Sequence, residues 1–328
     1  MKLASLKQGN RDGTLIVVNR SLSRAVRADE IAPTLQAALD GWDTIAPRLN
    51  ALYERLQNGD CESAFDLDID ALAAPLPRAF QFLDGSAYLP HVERVRKARG
   101  AEVPESFFTD PLMYQAVSDG FLGPRDPIAM PTLDWGIDFE SEIGVICDDI
   151  PMGAEAAECA DHIQLVTILN DVSLRNLIPG ELGKGFGFVV SKPRSALAPV
   201  VVTPDELGDA WVDSKLHRPL QTHYNGDLFG DPEAGVDMQF SFAELLAHAA
   251  QSRPLSAGTL LGSGTIANQD TSRGASCLAE KRMLEIIAGG EPETPFMKFG
   301  DRVKIEMTDA DGHSYFGAIE QQVIEYRR

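Results

Sequence analysis

The sequence predicts an α+β fold, mostly β, with a small N-terminal unit ahead of a larger domain. Three observations carry this. Short β-branched runs closed by turn residues recur along the chain, helical periodicity is confined to a few segments, and one run alternates acidic with apolar side chains.

The N-terminal unit, residues 1–75, begins with strand-like runs from Lys2 to Lys7 and from Thr14 to Asn19. They are joined by the turn-forming Gly9-Asn10-Arg11-Asp12-Gly13, and helical spacing follows from Ile31 to Leu56. Ala73-Ala74-Pro75-Leu76-Pro77-Arg78 reads as a linker, because two prolines so close together suit extended backbone. The boundary falls there, and residues 76–328 form the second domain. Arg94-Val95-Arg96-Lys97-Ala98-Arg99 reads as a solvated helix face, and Phe107 to Pro131 as irregular structure rich in Gly, Pro and Asp. Ala154 to Asp161 is helix-like. Ile163-Gln164-Leu165-Val166-Thr167-Ile168-Leu169 is a buried strand that ends in Asn170-Asp171. From Ala198 the chain is β-rich, with a hairpin at Tyr224-Asn225-Gly226-Asp227, a helix from Phe240 to Gln251, and a last hairpin from Phe299 to Val323 turning at Asp309-Ala310-Asp311-Gly312.

Composition narrows the function. The chain has 328 residues, is 44% hydrophobic with a mean hydropathy of -0.12, and carries a net charge of -20 from 29 basic and 49 acidic residues. That balance argues against a nucleic-acid or anionic-membrane surface, both of which need clustered positive charge. Cys61, Cys147, Cys159 and Cys277 lack CxxC spacing, so neither a zinc site nor a disulfide framework is indicated. Reduced cysteines, no signal-like N-terminus and no apolar run of membrane-spanning length together fit a cytoplasmic protein.

The chemistry concentrates in Ile137-Asp138-Phe139-Glu140-Ser141-Glu142-Ile143-Gly144-Val145. Period two puts its carboxylates on one face and Phe139, Ile143 and Val145 on the other. Either this is an edge strand with its acids in solvent, or the acids are buried around a shared cation, since paired buried carboxylates repel. Asp171, at the end of a buried strand, is a further ligand candidate or a helix cap. Asp84 and His91 stand close together upstream. Glu181-Leu182-Gly183-Lys184-Gly185-Phe186-Gly187 is a turn whose glycines permit close approach of backbone and one lysine to a ligand. It is not a Walker A loop, because no Ser or Thr follows the lysine. Leu260-Leu261-Gly262-Ser263-Gly264-Thr265-Ile266 is a strand entering a small-residue turn, not a nucleophile elbow.

In combination and in order, the Glu140/Glu142 pair, Leu-Asn-Asp-Val-Ser-Leu-Arg at 169–175, the Gly-Lys-Gly-Phe-Gly loop and the Gly-Ser-Gly-Thr-Ile turn resemble the fumarylacetoacetate hydrolase family. The resemblance covers residues 76–328 and implies a mixed β-roll catalytic domain, usually homodimeric, preceded by a small SH3-like domain. It implies a metal site of Asp84, Glu140, Glu142 and Asp171 holding Mg²⁺ or Ca²⁺, with Mn²⁺ also suited to an all-oxygen set. It further implies His91 as general base, Glu280 as the acid orienting it, Lys184 as oxyanion partner, and Tyr114, Arg175 and Thr265 as substrate contacts. The implied reaction is carbon–carbon hydrolysis of a β-diketo acid, foremost fumarylacetoacetate to fumarate and acetoacetate in tyrosine catabolism. Acylpyruvate hydrolysis, oxaloacetate decarboxylation and oxo-enoic acid hydration or isomerisation are the alternatives within the fold, and a catalytically idle metal scaffold is the alternative outside it. One departure stands out: Ile178 falls where the fumarylacetoacetases carry a substrate-contacting glutamine.

Overall fold

The structure is a computed structural model that describes residues 1–97 and 104–327, so the Ala98-Arg99 end of the basic segment lies outside the described residues. Its frame is an eleven-stranded sheet. Along the hydrogen-bonded path the strands run Phe65–Asp66, Arg24–Arg27, Thr14–Val18, Lys2–Leu6, Val201–Val202, Ile163–Asn170, Ser141–Cys147, Thr259–Gly262, Gln81–Gly85 and Met113–Ala116, and Ala196–Leu197 pairs beside this path. The pairings are antiparallel except where Thr259–Gly262 runs parallel to Gln81–Gly85. A five-stranded sheet holds Asp227–Gly230, Gln221–Tyr224, Arg302–Glu306, Ile319–Glu325 and Ile128–Met130.

Both faces of the large sheet are covered, and alternate residues of one strand enter different cores. Val166 and Ile168 pack with Phe139, Ile143 and Val145. Leu165 and Leu169 pack with Leu35, Leu49 and Tyr53 from the N-terminal helices. Burial on two sides is why 163–169 reads as one continuous apolar run rather than an alternation. The N-terminal strands join the same sheet through Lys2↔Val202 and Leu3↔Val201. The 73–78 segment is tied to them, with Ala73 N donating to Ser5 O and Ser5 Oγ donating to Pro75 O at 2.7 Å.

The helical stretch expected from Ile31 to Leu56 is two helices, Leu35–Leu39 and Trp42–Gln57, separated at Asp40-Gly41. The hairpin at Asn225-Gly226 forms with both residues at positive φ, 53° and 95°, as a tight two-residue turn requires. The 107–131 region is more ordered than its composition suggests: Met113–Ala116 adds to the sheet edge beside Gln81–Gly85, and Ile128–Met130 pairs with Ile319–Glu325. No helix among the described residues is long and apolar enough to cross a membrane.

Sheet register positions the carboxylates. Asp84 lies opposite Gly262, Gly262 lies opposite Gly144, and Glu142 lies opposite Leu169, two residues before Asp171. Four adjacent strands therefore end at one place, each delivering either an acid or a glycine.

Candidate active site

Asp84, Glu142 and Asp171 are buried, and each offers a carboxylate oxygen such that the three oxygens lie within 4.8 Å of one another. The small residue between them is required: a Cβ on Gly262 would stand 2.6 Å from Asp84 Oδ1 and 3.0 Å from Glu142 Oε2. Asp171 is well satisfied, accepting from Ser195 Oγ at 2.6 Å, Lys192 Nζ at 2.6 Å and Tyr114 OH at 2.8 Å. Asp84 Oδ1 and both Glu142 oxygens are buried with no hydrogen-bond partner among the described residues. Burial pushes Asp84 up to about 8, reinforced by the charge of Asp171. It pushes Glu142 well above the carboxylate range, reinforced by Asp84 and Asp171. Like charges with unpartnered oxygens in a dry site hold protons unless a cation joins them. An all-oxygen, anionic trio with three orphaned acceptors fits a hard divalent cation.

Glu140 behaves differently. It points to the same side as Glu142, but its oxygens accept from Arg175 Nη2 (2.7 Å), Thr265 Oγ1 (2.8 Å), Lys192 Nζ (2.6 Å) and Ser173 Oγ (3.0 Å). Burial alone would raise its pKa, yet Arg175 and then Lys192 outweigh it and hold the carboxyl well below the usual range. Three of the four expected ligands thus converge, and the fourth joins them through Lys192, whose ammonium bridges Glu140 and Asp171.

Lys192, not Lys184, is the lysine of the site. Lys184 is exposed and does not line the cavity, because its glycine-rich surroundings follow the short Ile178–Leu182 helix out into solvent. That loop is anchored by Glu181, which accepts from the backbone of Val189, Val190 and Ser191. The chain then re-enters the core at Ser191-Lys192. A proline directly after Lys192, which favours extended backbone there, was the available signal.

Across the cavity His91 Nδ1 lies 3.2 Å from Glu280 Oε2. Glu280 is fully buried near the start of the Leu278–Ile287 helix, and its other oxygen accepts from Arg94. Arg94, expected on a solvated face, is buried, and it also donates to the Asn268 carbonyl. Asp138 ties this helix to the acidic strand. It accepts from Leu278 N (2.8 Å), Ala279 N (2.9 Å) and Arg175 Nε (2.8 Å), placing a carboxylate at the positive end of the helix. Arg175 is therefore engaged by Asp138 and Glu140 rather than free for a substrate carboxylate. Tyr114 packs edge-on against Phe188, with ring centroids 4.9 Å apart. Burial and the Asp171 charge keep its phenol protonated and hence a donor. Asp84, His91, Tyr114, Glu140, Glu142, Arg175 and Lys192 border one cavity of about 820 Å³.

Residues 81–324 match the family described as Fumarylacetoacetate (FAA) hydrolase C-terminal, and residues 1–78 match Fumarylacetoacetase N-terminal domain 2. The chain belongs to the fumarylacetoacetate hydrolase family. Among relatives, a hydrolase of Burkholderia lata is 27% identical over 174 residues, 51% of this chain and 55% of that protein, so the chain spans about half the length of this relative. A 2,4-didehydro-3-deoxy-L-rhamnonate hydrolase of Sphingomonas sp. is 24% identical over 222 residues, 67% of each chain. Among solved structures, maleylpyruvate hydrolase from Sphingobium sp. SYK-6, in complex with manganese(II) and pyruvate, shares the fold. Its TM-score is 0.66 at 15% identity, with both chains covered in full.

Proposed function

We propose that this protein is a metal-dependent hydrolase that cleaves the carbon–carbon bond of a β-diketo acid. The observation that carries this is that Asp84 and Glu142 of the carboxylate trio border one cavity with His91, while Asp171 is held by the lining residues Lys192 and Tyr114 and Glu280 by His91. Asp84, Glu142 and Asp171 would hold Mg²⁺, Ca²⁺ or Mn²⁺, with Glu140 completing the negative field. When bound, such a cation supplies Lewis-acid polarisation of carbonyl oxygens.

The protein's own groups do the rest. With Nδ1 directed at Glu280, the proton of His91 belongs on that nitrogen, which leaves Nε2 as the acceptor for a proton from water. The Arg94 ion pair fixes Glu280, and so fixes the tautomer and ring orientation of His91. Of the three ammonium donors of Lys192, two are spent on Glu140 and Asp171, leaving the third for the oxyanion that develops on the attacked carbonyl. Tyr114 and Thr265 donate to acidic residues around that position and set its shape. Fumarylacetoacetate is the narrower reading suggested by the family resemblance. Its grounds are the N-terminal unit and Asp84 ahead of His91, as in the longer members of the family; the added ground of an Arg175 available for a carboxylate falls away, since Arg175 pairs with Asp138 and Glu140.

Purified protein charged with Mg²⁺ or Mn²⁺ is to be incubated with fumarylacetoacetate, acetylpyruvate and oxaloacetate, with the acids formed separated by chromatography. Release of two carboxylic acids from a diketo acid is the expected result. Tautomer interconversion or decarboxylation without such cleavage would overturn it.

A further inference from the structure

We infer that His91, Cys277 and Glu280 form a second metal site, one for a thiophilic divalent ion such as Zn²⁺, whose occupancy stops turnover. Each residue offers one ligand atom, and the three atoms lie within 4.8 Å of one another. The binding step stands on this cluster alone, whereas the loss of turnover rests on His91 being the base.

Local structure explains the cluster. Cys277 is the N-cap of the Leu278–Ile287 helix, and its Sγ accepts from Glu280 N at 3.3 Å. The cap and the third residue of a helix face each other in this way, so thiol and carboxylate share one helix end. Arg94 occupies Oε1 of Glu280, and Oε2 stands 3.2 Å from His91 Nδ1. Two ligands each ~2.0 Å from zinc at a tetrahedral angle stand about 3.3 Å apart, so this pair already has the separation that zinc needs. His91 lines the cavity, which gives an ion a way in, and the fourth position is left for water.

The donor set differs in kind from the carboxylate trio. Asp84, Glu142 and Asp171 present oxygen alone, whereas nitrogen, sulfur and oxygen together suit zinc. Burial, reinforced by the Asp138 charge, pushes the Cys277 thiol well above its ordinary range. Only an ion with strong affinity for thiolate displaces that proton to solvent, which excludes Mg²⁺ and Ca²⁺. With Nδ1 coordinated, the single proton of neutral His91 sits on Nε2, and the acceptor needed for a proton from water is gone.

Co²⁺ reports a thiolate ligand by an ultraviolet charge-transfer band, and it is added to protein already loaded with Mn²⁺. The band is expected in the unaltered protein and absent from Cys277→Ser, whose hydroxyl keeps the helix cap. Cys277→Ala, read by the same band, is the second variant. Among the described residues Cys277 is the one cysteine in such a cluster. Zn²⁺ titrated into the Mn²⁺-loaded protein is expected to abolish turnover without relief by excess Mn²⁺. Cys277→Ser, measured against its own zinc-free rate, should need about tenfold more Zn²⁺. No cobalt band in the unaltered protein would overturn the inference. So would inhibition that excess Mn²⁺ relieves equally in both proteins, which places zinc at the carboxylate trio. A band with turnover indifferent to Zn²⁺ would uphold the site and overturn the role of His91. The band needs no substrate, so failure of the diketo-acid reading leaves the metal site to be decided separately.

Discussion

Asp84 and Glu142 make metal affinity and their own contribution to stability depend on pH in opposite senses. Without a cation, Asp84 keeps its proton in the folded protein up to about 8, whereas in the unfolded chain it releases it near 3.8. Between these values the folded state binds more protons, so the contribution of Asp84 to metal-free stability is fully present below about pH 4, falls as pH rises, and is gone above about 8. Four pH units at about 1.36 kcal/mol each set an upper bound of ~5–6 kcal/mol from this group. Glu142, shifted in the same direction, acts with it as a coupled pair. A divalent cation must displace those protons, so its affinity should rise about tenfold per pH unit for each proton released. Urea unfolding of metal-free protein at pH 6 and pH 8, beside Asp84→Asn at the same pH values, isolates the effect from the histidines. Mn²⁺ titration in buffers of differing ionisation enthalpy counts the protons. Metal affinity that is flat from pH 6 to 8, with heats independent of buffer, would refute the reasoning.

Other outcomes follow from the same geometry. His91→Ala should keep fold and metal while turnover drops by about 10²-fold or more; loss of metal from a folded variant would make His91 a ligand instead. Lys184→Ala should leave kcat within twofold, while Lys192→Met should lower it by about 10²–10³-fold, as steady-state kinetics of the two would show. Gly262→Ala puts a Cβ 2.6 Å from Asp84 Oδ1, so metal affinity measured by calorimetry should weaken at least about tenfold with little change in the circular dichroism spectrum. Asp138→Asn removes one of the two carboxylates that hold Arg175 and weakens a helix N-terminus, so a loss of about 1.5–3 kcal/mol in chemical denaturation is expected.

What the sequence made legible was local and periodic. Alternation in 137–145 singled out Asp138, Glu140 and Glu142, although the run is two strands, Ile137–Asp138 and Ser141–Cys147, interrupted at Phe139-Glu140. The apolar run before Asn170-Asp171 marked a buried strand. Charge partners were not legible, since a pairing depends on which strands meet. Lys184 and Lys192 are eight residues apart with little in composition to separate them. Arg94 sits in a run whose neighbours are basic, and only the packing of its helix against Leu278–Ile287 gives it Glu280. In sequence Asp138 is one more member of an acidic run, and nothing there shows that it pairs with Arg175 and accepts two backbone N–H groups of the Leu278–Ile287 helix. Asp138 thereby links the acidic strand carrying Glu140 and Glu142 to the helix carrying Glu280. A disturbance on one side of the cavity has a route to the other through this buried carboxylate, so Asp138→Asn should alter metal affinity and the pH profile of turnover together. If only one of them moves, the two halves of the site are positioned independently.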